Sequence, residues 1–321
     1  MRILLRFFLV IRNGRNNFSM KPKNTKTDYK KTYARIKRDY SGWILLIPTL
    51  FLLIFVTLRP MFMGIINSFY ELKGFTPTTF IGLENYKQVI HDTKFVGTIW
   101  NTLKYVVWSL IIGLPLPFIC SIILNEMVAG KNFVRISTYM PAVIPAVAVS
   151  LIWTNMYMEG PGGLLNMFLG LFGSAPRQWL MNKSLTIPLI IVSMTWQGFG
   201  STMLYYFAML QSVNVELFDA ARIDGAGVFS RAKNVIMPHM LPLFVLMAIK
   251  QVIGVFQVID QPLVMTGGGP NNASMSLSLL GYQYAFQFNQ TGKSLAVNVI
   301  TFLMLIGLTV VYFKAEKKIS A

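Results

Sequence analysis

Six apolar segments, each long enough to cross a lipid bilayer as a helix, constrain the fold of this chain more than any other feature. A transmembrane helix needs about 20 apolar residues. The segments are residues 43–65, 99–124, 136–157, 185–210, 238–263 and 294–313. They are too long for spanning strands, and they do not alternate polar and apolar residues as barrel strands do. The sequence therefore predicts an all-α, polytopic membrane protein with six transmembrane helices.

Basic residues are distributed unevenly among the segments that connect these spans. With a cytoplasmic N-terminus and six alternating spans, the cytoplasmic segments hold 20 of the 29 Lys and Arg residues. Because an excess of basic residues marks the cytoplasmic side, both termini and the loop 211–237 are predicted to lie in the cytoplasm. The net charge of +17 then reflects membrane topology, and no nucleic-acid partner is expected.

Residues 1–42 form a basic cytoplasmic tail, distinct from the transmembrane domain of residues 43–318. Twelve Lys and Arg residues precede Gly42. Near anionic lipid each contributes about 1 kcal/mol, so membrane lipid is an expected partner of the tail. Its apolar start, Ile3–Ile11, is similar to the core of a signal peptide, but no small-residue cleavage site follows it.

Residues suited to catalysis or metal binding are scarce. Cys120 is the only cysteine and lies in an apolar span, where a small buried hydrophobic role is expected. His91 and His239 are far apart and on opposite sides of the membrane in the predicted topology. Residues 292–294 read Gly-Lys-Ser, but a phosphate-binding loop needs a glycine where Gln287 stands. The sequence predicts no catalytic residue, no metal site and no ATP hydrolysis by this chain.

The loop 211–237, between the fourth and fifth spans, carries the most specific motif. It contains Asp219, Ala220 and Ala221, followed four residues later by Gly225. The alanines give a predicted short helix a small face that another surface can approach. Gly225 allows a bend that a Cβ atom would strain. The motif predicts a short, bent cytoplasmic helix that fits into a cleft of a partner.

This loop resembles the cytoplasmic coupling loop of ABC importer permeases, which begins Glu-Ala-Ala, has glycine four residues on and ends Ile-x-Leu-Pro. Here Asp219 keeps the carboxylate, and Val235 and Met237 keep the apolar bulk. The resemblance implies that the loop receives the movement of an ATPase, and that this partner, not the present chain, holds ATP and Mg²⁺. The coupling residues that it implies are Glu216, Asp219, Ala220, Ala221, Asp224, Gly225 and Ala226.

Two further motifs resemble the sugar-transporting members of this family. Residues 80–86 read Phe-Ile-Gly-Leu-Glu-Asn-Tyr, and Asn101 and Thr102 begin the second span. An interfacial helix with aromatic anchors is the alternative interpretation. Residues 256–270 end in Thr-Gly-Gly-Gly-Pro, which is similar to the end of the fifth span in carbohydrate permeases. A plain turn after a helix is the alternative there.

The resemblance covers about residues 43–318 and implies a type I ABC importer permease fold. It implies a subunit of an ATP-driven carbohydrate importer in a bacterial cell membrane, working by alternating access. The expected partners are a second related permease, two ABC ATPase subunits, an extracellular solute-binding protein and the carbohydrate. The sequence is most similar to the branch that handles oligosaccharides of plant polysaccharides, including pectin-derived ones, so acidic substrates are among those implied.

Polar groups within the spans indicate a substrate path, because unpaired polar groups are costly in lipid. The expected path residues are Gln197, Gly198, Ser201, Lys250, Gln251, Val255, Gln257 and Val258. Gln251, Val255 and Val258 are spaced to share one helical face. Each glutamine could equally serve as an interhelical hydrogen-bonding group. Since two positions of the family's sugar-contacting pattern are valines here, the partner permease could hold the direct polar site instead.

Lys250 stands in the middle of the fifth predicted span, where a charge costs about 2.5–3.5 kcal/mol. One interpretation is that its side chain reaches the interface or pairs with a carboxylate. The other is that it faces the path and attracts an acidic sugar such as a uronate.

The alternative function is an ion-coupled secondary transporter. Such a protein needs paired carboxylates in the membrane or an ion site at a broken helix. Asp260 is the only acidic residue within the six predicted spans, which favours the importer.

Overall fold

The computed structural model describes residues 40–213, 223, 225 and 227–319, and the chain divides into two compact units, Met1–Phe62 and Met63–Ala321. In the first unit, the described residues are helical. Their apolar side chains from Leu46 to Val56 are exposed, and the rings of Phe51 and Phe55 lie 4.6 Å apart. A helix that is apolar and uncovered in this way requires lipid or protein around it.

Within the described residues, five helices are long and apolar enough to cross a membrane, and a bent pair of helices completes a sixth span. The continuous spans are Leu46–Asn67, Thr93–Glu126, Thr186–Leu210, Met237–Phe256 and Thr291–Lys314. The bent pair, Lys131–Val143 and Ala146–Met156, is the third span in chain order. The prediction of an all-α membrane protein with six spans is confirmed with the bent pair counted as one.

The third span differs from the single helix predicted over residues 136–157. Its two halves meet at an angle of 100°. Pro145 begins the second half, and Ile144 before it has an extended backbone with ψ 132°. Proline has no N–H to continue a helix, and its ring disfavours helical backbone in the preceding residue. The apolar length was predicted correctly, but the break was not.

The fifth span ends earlier than predicted, at Phe256 instead of residue 263. Two hydroxyls from a distant segment bind the carbonyl groups freed there. Ser278 Oγ donates to the carbonyl oxygen of Phe256 at 2.8 Å, and Ser276 Oγ donates to that of Val258 at 2.7 Å. The chain then forms a separate helix, Asp260–Thr266. Side-chain donors therefore replace the helical bonds that the last carbonyls of a helix lack.

The second span begins at Thr93, six residues before the predicted start. Asp92 caps it, because its carboxylate accepts a hydrogen bond from the backbone N–H of Lys94 at 2.8 Å. The span contains 34 residues, or about 51 Å of helix at 1.5 Å per residue. Since the hydrocarbon core is about 30 Å thick, this helix is longer than the core and part of it projects beyond.

Between the first and second spans lies an antiparallel hairpin that the sequence did not predict, with strands Tyr70–Lys73 and Thr76–Phe80. The helix Glu84–Ile90 follows. Asn85, from the 80–86 motif, is buried and donates to the carbonyl oxygens of Ser68 and Tyr70, each at 2.9 Å. The motif thus ties the hairpin to the helix that follows it.

The helices within and between the spans have the following bounds. They are Tyr40–Leu52, Arg59–Asn67, Glu84–Ile90, Thr93–Trp108, Pro115–Glu126, Lys131–Tyr139, Ala146–Met156, Leu164–Gly170, Thr186–Leu210, Val228–Arg231, Met237–Phe256, Asp260–Thr266, Leu277–Tyr282 and Thr291–Ile319. The fourth span is central to the second unit: Ile190 packs with Tyr105 of the second span and Val255 of the fifth. Cys120 is half-buried in the second span.

Candidate functional site

Two polar side chains and one backbone carbonyl, from three parts of the chain, meet at the break in the third span. The amide nitrogen of Gln197, in the fourth span, donates to the carbonyl oxygen of Ile144 at 2.9 Å. The amide oxygen of Gln197 accepts from Gln261 at 3.3 Å. The carbonyl that the break frees is therefore satisfied by a side chain, as backbone within a membrane requires. We call these three residues the break cluster.

Close helix packing brings the fourth span to this break. A Cβ atom at Gly200 would lie 2.2 Å from the carbonyl oxygen of Thr138 and 2.6 Å from the Cα of Tyr139. Only glycine fits at such a distance, and small residues are what allow helices in membranes to approach this closely. Gly200 therefore holds Gln197, one turn away, within reach of Ile144.

A glycine in the second span lets a polar side chain of the fifth span come close to it, beside the fourth span. The amide nitrogen of Gln251 lies 2.8 Å from where a Cβ atom of Gly113 would stand, and the hydroxyl of Thr195 lies 3.5 Å from the same point. The Thr195 hydroxyl is buried and makes no hydrogen bond within the described part of the chain. The Gln251 amide thus occupies the space that glycine leaves open beside a buried hydroxyl.

The predicted path residues differ in exposure. Gly198, Lys250 and Gln257 are exposed, Gln197, Ser201 and Gln251 are half-buried, and Val255 and Val258 are buried. The expectation that Gln251, Val255 and Val258 lie on one helical face is wrong, because the helix ends at Phe256 and Val258 lies beyond it. Val255 instead contributes to the apolar core between the spans.

Lys250 points away from the core and contacts an aromatic ring. Its Nζ lies 4.8 Å from the centroid of the Tyr205 ring, on the fourth span, and Tyr205 is itself 50% exposed. An ammonium group over an aromatic face is attracted by the ring quadrupole. The contact lies on a surface of the subunit formed by the fourth and fifth spans.

Most of the predicted coupling residues lie outside the described residues: Glu216, Asp219, Ala220, Ala221, Asp224 and Ala226. Gly225 is described, with φ +74° and no atom within 4 Å of a Cβ built on it. Space is therefore available there, but the backbone has the left-handed conformation that residues with a Cβ rarely adopt.

An ion pair connects the end of this loop to the second span. Arg231 ends the short helix Val228–Arg231 and is 8% exposed. Its guanidinium nitrogen lies 3.7 Å from a carboxylate oxygen of Glu126, the last residue of the second span. Since both groups are at least partly buried, solvent and salt screen the pair less than an exposed pair.

A cleft of about 670 Å³ lies beside the first turns of the second span and was not predicted. It is lined by Thr93, Lys94, Gly97, Asn101, Lys104, Trp108, Lys183, Ser184, Ile187, Asn271, Asn272 and Ala273. The spacing of residues 94, 97, 101, 104 and 108 places them on one helical face. This spacing could have indicated the cleft from the sequence. Because the second span was predicted to begin at residue 99, residues 94 and 97 were separated from the other three. Gln261 was missed as well, although it lies within a predicted span.

Among the described residues, no group of three or more His, Cys, Asp or Glu side chains could hold a metal ion.

Comparison with known proteins places these features in context. Residues 113–320 match the sequence model of a family described as "Binding-protein-dependent transport system inner membrane component". The multiple sugar-binding transport system permease protein MsmF of Streptococcus mutans is 34% identical over 298 residues, covering 89% of this chain and 99% of MsmF. The trehalose/maltose transport system permease protein MalF of Thermococcus litoralis is 29% identical, covering 86% of this chain and 93% of MalF.

A solved structure has a similar fold. The crystal structure of a bacterial ABC transporter involved in the import of the acidic polysaccharide alginate contains a chain that superposes with a TM-score of 0.79. The two sequences are 20% identical, and the match covers 91% of this chain and 100% of that one. At this identity the likeness concerns the fold alone.

Proposed function

The chain belongs to the family of binding-protein-dependent transport system inner membrane components, as a multi-pass permease of the sugar-transporting kind, and from this premise we propose that it moves an oligosaccharide into the cell by alternating access. A partner ATPase supplies the energy through the loop 211–237. The chain itself is a membrane permease and not an enzyme.

The family match favours an importer over an ion-coupled transporter, and within the structure the break cluster is the observation that best supports a transport path. Broken helices in transporters occur where backbone lines a cavity or is buried in protein. Gln197 joins the two halves of the third span to the fourth span and, through Gln261, to the helix Asp260–Thr266. Amide side chains donate and accept hydrogen bonds, so in another conformation they can exchange a protein partner for a sugar hydroxyl.

We extend the proposal to the partners and the orientation. The family description refers to a transport system that depends on a binding protein. A second permease, two ATPase subunits and an extracellular solute-binding protein are the proposed partners, with ATP and Mg²⁺ bound by the ATPases. Both termini are proposed to be cytoplasmic, as the distribution of Lys and Arg favours.

Affinity purification of the tagged chain from its native membrane, followed by mass spectrometry, tests the proposal. We expect a second permease and an ABC ATPase to co-purify, and sugar uptake by the reconstituted complex to require ATP. A chain that purifies alone, with uptake driven by an ion gradient, would indicate the secondary transporter instead.

A substitution at the break cluster tests the path. Gln197→Leu removes the donor to Ile144 and the acceptor for Gln261. We expect oligosaccharide uptake by the reconstituted importer to fall at least about tenfold, which corresponds to a loss of about 1.4 kcal/mol. Gln88→Leu, at an exposed position of the helix Glu84–Ile90, is the control. Equal uptake by the two variants would contradict a role of the cluster in transport.

Lys250 allows the substrate to be acidic. Its charge sits on the exposed surface between the fourth and fifth spans and contacts Tyr205, which leaves the ammonium group accessible. The proposal is that it attracts a uronate in the path. Lys250→Ala should then reduce uptake of an acidic oligosaccharide more than uptake of a neutral one, and unchanged uptake of the acidic sugar would remove this role.

A further inference from the structure

The cleft beside the first turns of the second span carries a concentration of positive charge. Lys94, Lys104 and Lys183 line it, and none of the described lining residues is acidic. Lys104 and Lys183 are exposed, and neither makes an ion pair with another described residue. Lys94 is half-buried, with its Nζ 5.5 Å from the centroid of the Phe288 ring. The cleft therefore has two ammonium groups available to an anion.

The second wall of the cleft is fixed by hydrogen bonds to the second span. Asn101, only 7% exposed, donates from its amide nitrogen to the carbonyl oxygen of Asn272 at 2.7 Å. The fully buried Tyr105 hydroxyl donates to the carbonyl oxygen of Ser274 at 3.0 Å. These bonds hold the loop after the helix Asp260–Thr266 against the second span.

The loop also has internal constraints that keep its shape. The hydroxyls of Thr266 and Ser274 lie 2.7 Å apart, and Ser274 Oγ donates to the carbonyl oxygen of Gly269 at 2.6 Å. Asn271 and Asn272 both have positive φ, 48° and 60°, which asparagine tolerates better than most residues. A wall with two asparagines is thus preformed, as binding sites for small molecules usually are.

The remaining lining groups suit a sugar. The carboxamides of Asn271 and Asn272 both donate and accept hydrogen bonds, as sugar hydroxyls do. Trp108 is 37% exposed and contributes an aromatic surface to the lining. About 20 residues suffice to cross the hydrocarbon core, and residues 107–126 provide them. Lys94 and Lys104 therefore lie at or beyond the membrane surface, and Trp108 at its boundary, where tryptophan is enriched.

We infer that this cleft binds an anionic saccharide, with the carboxylate of a uronate at Lys104 and Lys183, its hydroxyls at the two asparagines and a sugar ring against Trp108. The inference rests on the proposed function and deepens it, because it names a substrate class and a place where this subunit receives the sugar. In the proposed orientation, the cleft opens to the outer side of the membrane, from which the substrate arrives.

Direct titration tests the inference. The permease is purified with its membrane partner and ATPases, without the binding protein, and titrated with uronate trisaccharides of several linkages. Each is compared with its carboxyl-reduced, neutral counterpart. We expect at least one uronate trisaccharide to bind more tightly than its neutral counterpart, and the binding to weaken as salt is raised, because salt screens exposed charges.

Two double variants with equal changes of charge locate the site. Lys104→Gln/Lys183→Gln should weaken binding of that uronate by about tenfold, the loss expected for two partly exposed charge contacts, without changing binding of the neutral sugar. The control is Lys73→Gln/Lys87→Gln, at two lysines that are exposed and on the same proposed side of the membrane. This variant should bind the uronate and its neutral counterpart as the unsubstituted complex does.

Each other outcome is decisive. If only neutral sugars bind, the permease function stands and the anionic cleft is overturned. If the Lys104/Lys183 variant binds the uronate normally but loses affinity for the binding protein, the lysines form a protein-docking surface and the inference fails. If no carbohydrate binds and none stimulates ATP hydrolysis with the binding protein present, the proposed function fails as well.

Discussion

At the scale of single residues, Asp92 has two structural roles at the start of the second span. Its carboxylate caps the helix through the Lys94 amide and accepts a hydrogen bond from the Tyr284 hydroxyl at 2.5 Å, across 192 residues of sequence. Burial raises the pKa of this carboxyl, but the two hydrogen bonds and the charges of Lys94 and Lys293 outweigh it and leave the pKa lowered. Burial and the bond to Asp92 raise the pKa of Tyr284.

The direction of this shift predicts a pH dependence of stability. The pKa of Asp92 is lower in the folded protein than in the unfolded chain, where it is about 3.9. The contribution of the ionised carboxylate to folding stability is therefore complete above the unfolded-chain pKa. It is lost as pH falls through the folded pKa. We therefore expect the apparent melting temperature in detergent to fall more between pH 5 and pH 3 in the unsubstituted protein than in Asp92→Asn.

Substitutions separate the two roles of Asp92. Asp92→Ala removes the cap and the bond to Tyr284 and should cost about 1–2 kcal/mol. Asp92→Asn keeps a capping side chain and should cost less, and Tyr284→Phe removes only the bond between segments. If Asp92→Ala melted at the temperature of the unsubstituted protein, the hydrogen bonds would carry no net stability.

At the scale of elements, apolar length predicted the spans well, whereas the end of the fifth span involves residues that are distant in the sequence. The run of apolar residues gave no reason to end the fifth span at Phe256. At this end, the hydroxyls of Ser276 and Ser278 bind the carbonyl oxygens of Val258 and Phe256, respectively. The local pattern of apolar residues cannot predict a hydrogen-bond donor 22 residues away. The early end of the helix also changed the predicted path, because Val258 lies beyond the helix and not on the helical face that its spacing predicted.

Helix packing at the break gives a prediction with a matched control. Gly200→Ala would place a Cβ 2.2 Å from the Thr138 carbonyl oxygen, so the fourth span must move away from the third. We expect loss of at least about 1–3 kcal/mol, as overpacking typically costs, seen as a lower melting temperature or a lower yield of folded protein.

Gly198→Ala is the control, because no atom lies within 4 Å of its Cβ position. Alanine favours a helix over glycine by up to about 1 kcal/mol, so this variant should be as stable as the unsubstituted protein or more so. Similar melting temperatures for the two variants would show that the close approach at Gly200 is not required.

At the scale of the whole molecule, the family, the fold class and the transport of sugar were predicted from motifs, and comparison confirmed them. The roles of the coupling and path residues remain predictions, because those roles belong to a complex with other chains. The cleft was not predicted, since it is formed by segments around residues 94–108, 183–187 and 271–273 that meet only in the fold.

Coupling to an ATPase is a property of the assembly, and Gly225 tests it. At φ +74°, Gly225→Asp should strain the bend and abolish substrate-stimulated ATP hydrolysis by the reconstituted importer, while membrane insertion is retained. Gly227→Asp adds the same charge to the same segment, at a glycine that has open space and no positive φ. Coupling should be lost in the first variant and largely kept in the second. Normal coupling by Gly225→Asp would count heavily against the coupling-loop assignment.

The break in the third span also has a consequence for how the chain is made. A carbonyl left without a donor in lipid costs several kcal/mol, and the donor to Ile144 is Gln197, 53 residues later in the chain. During synthesis this bond cannot form until residue 197 has left the ribosome. The third span therefore reaches its bent, satisfied state only together with the fourth, and the two complete their insertion as a pair.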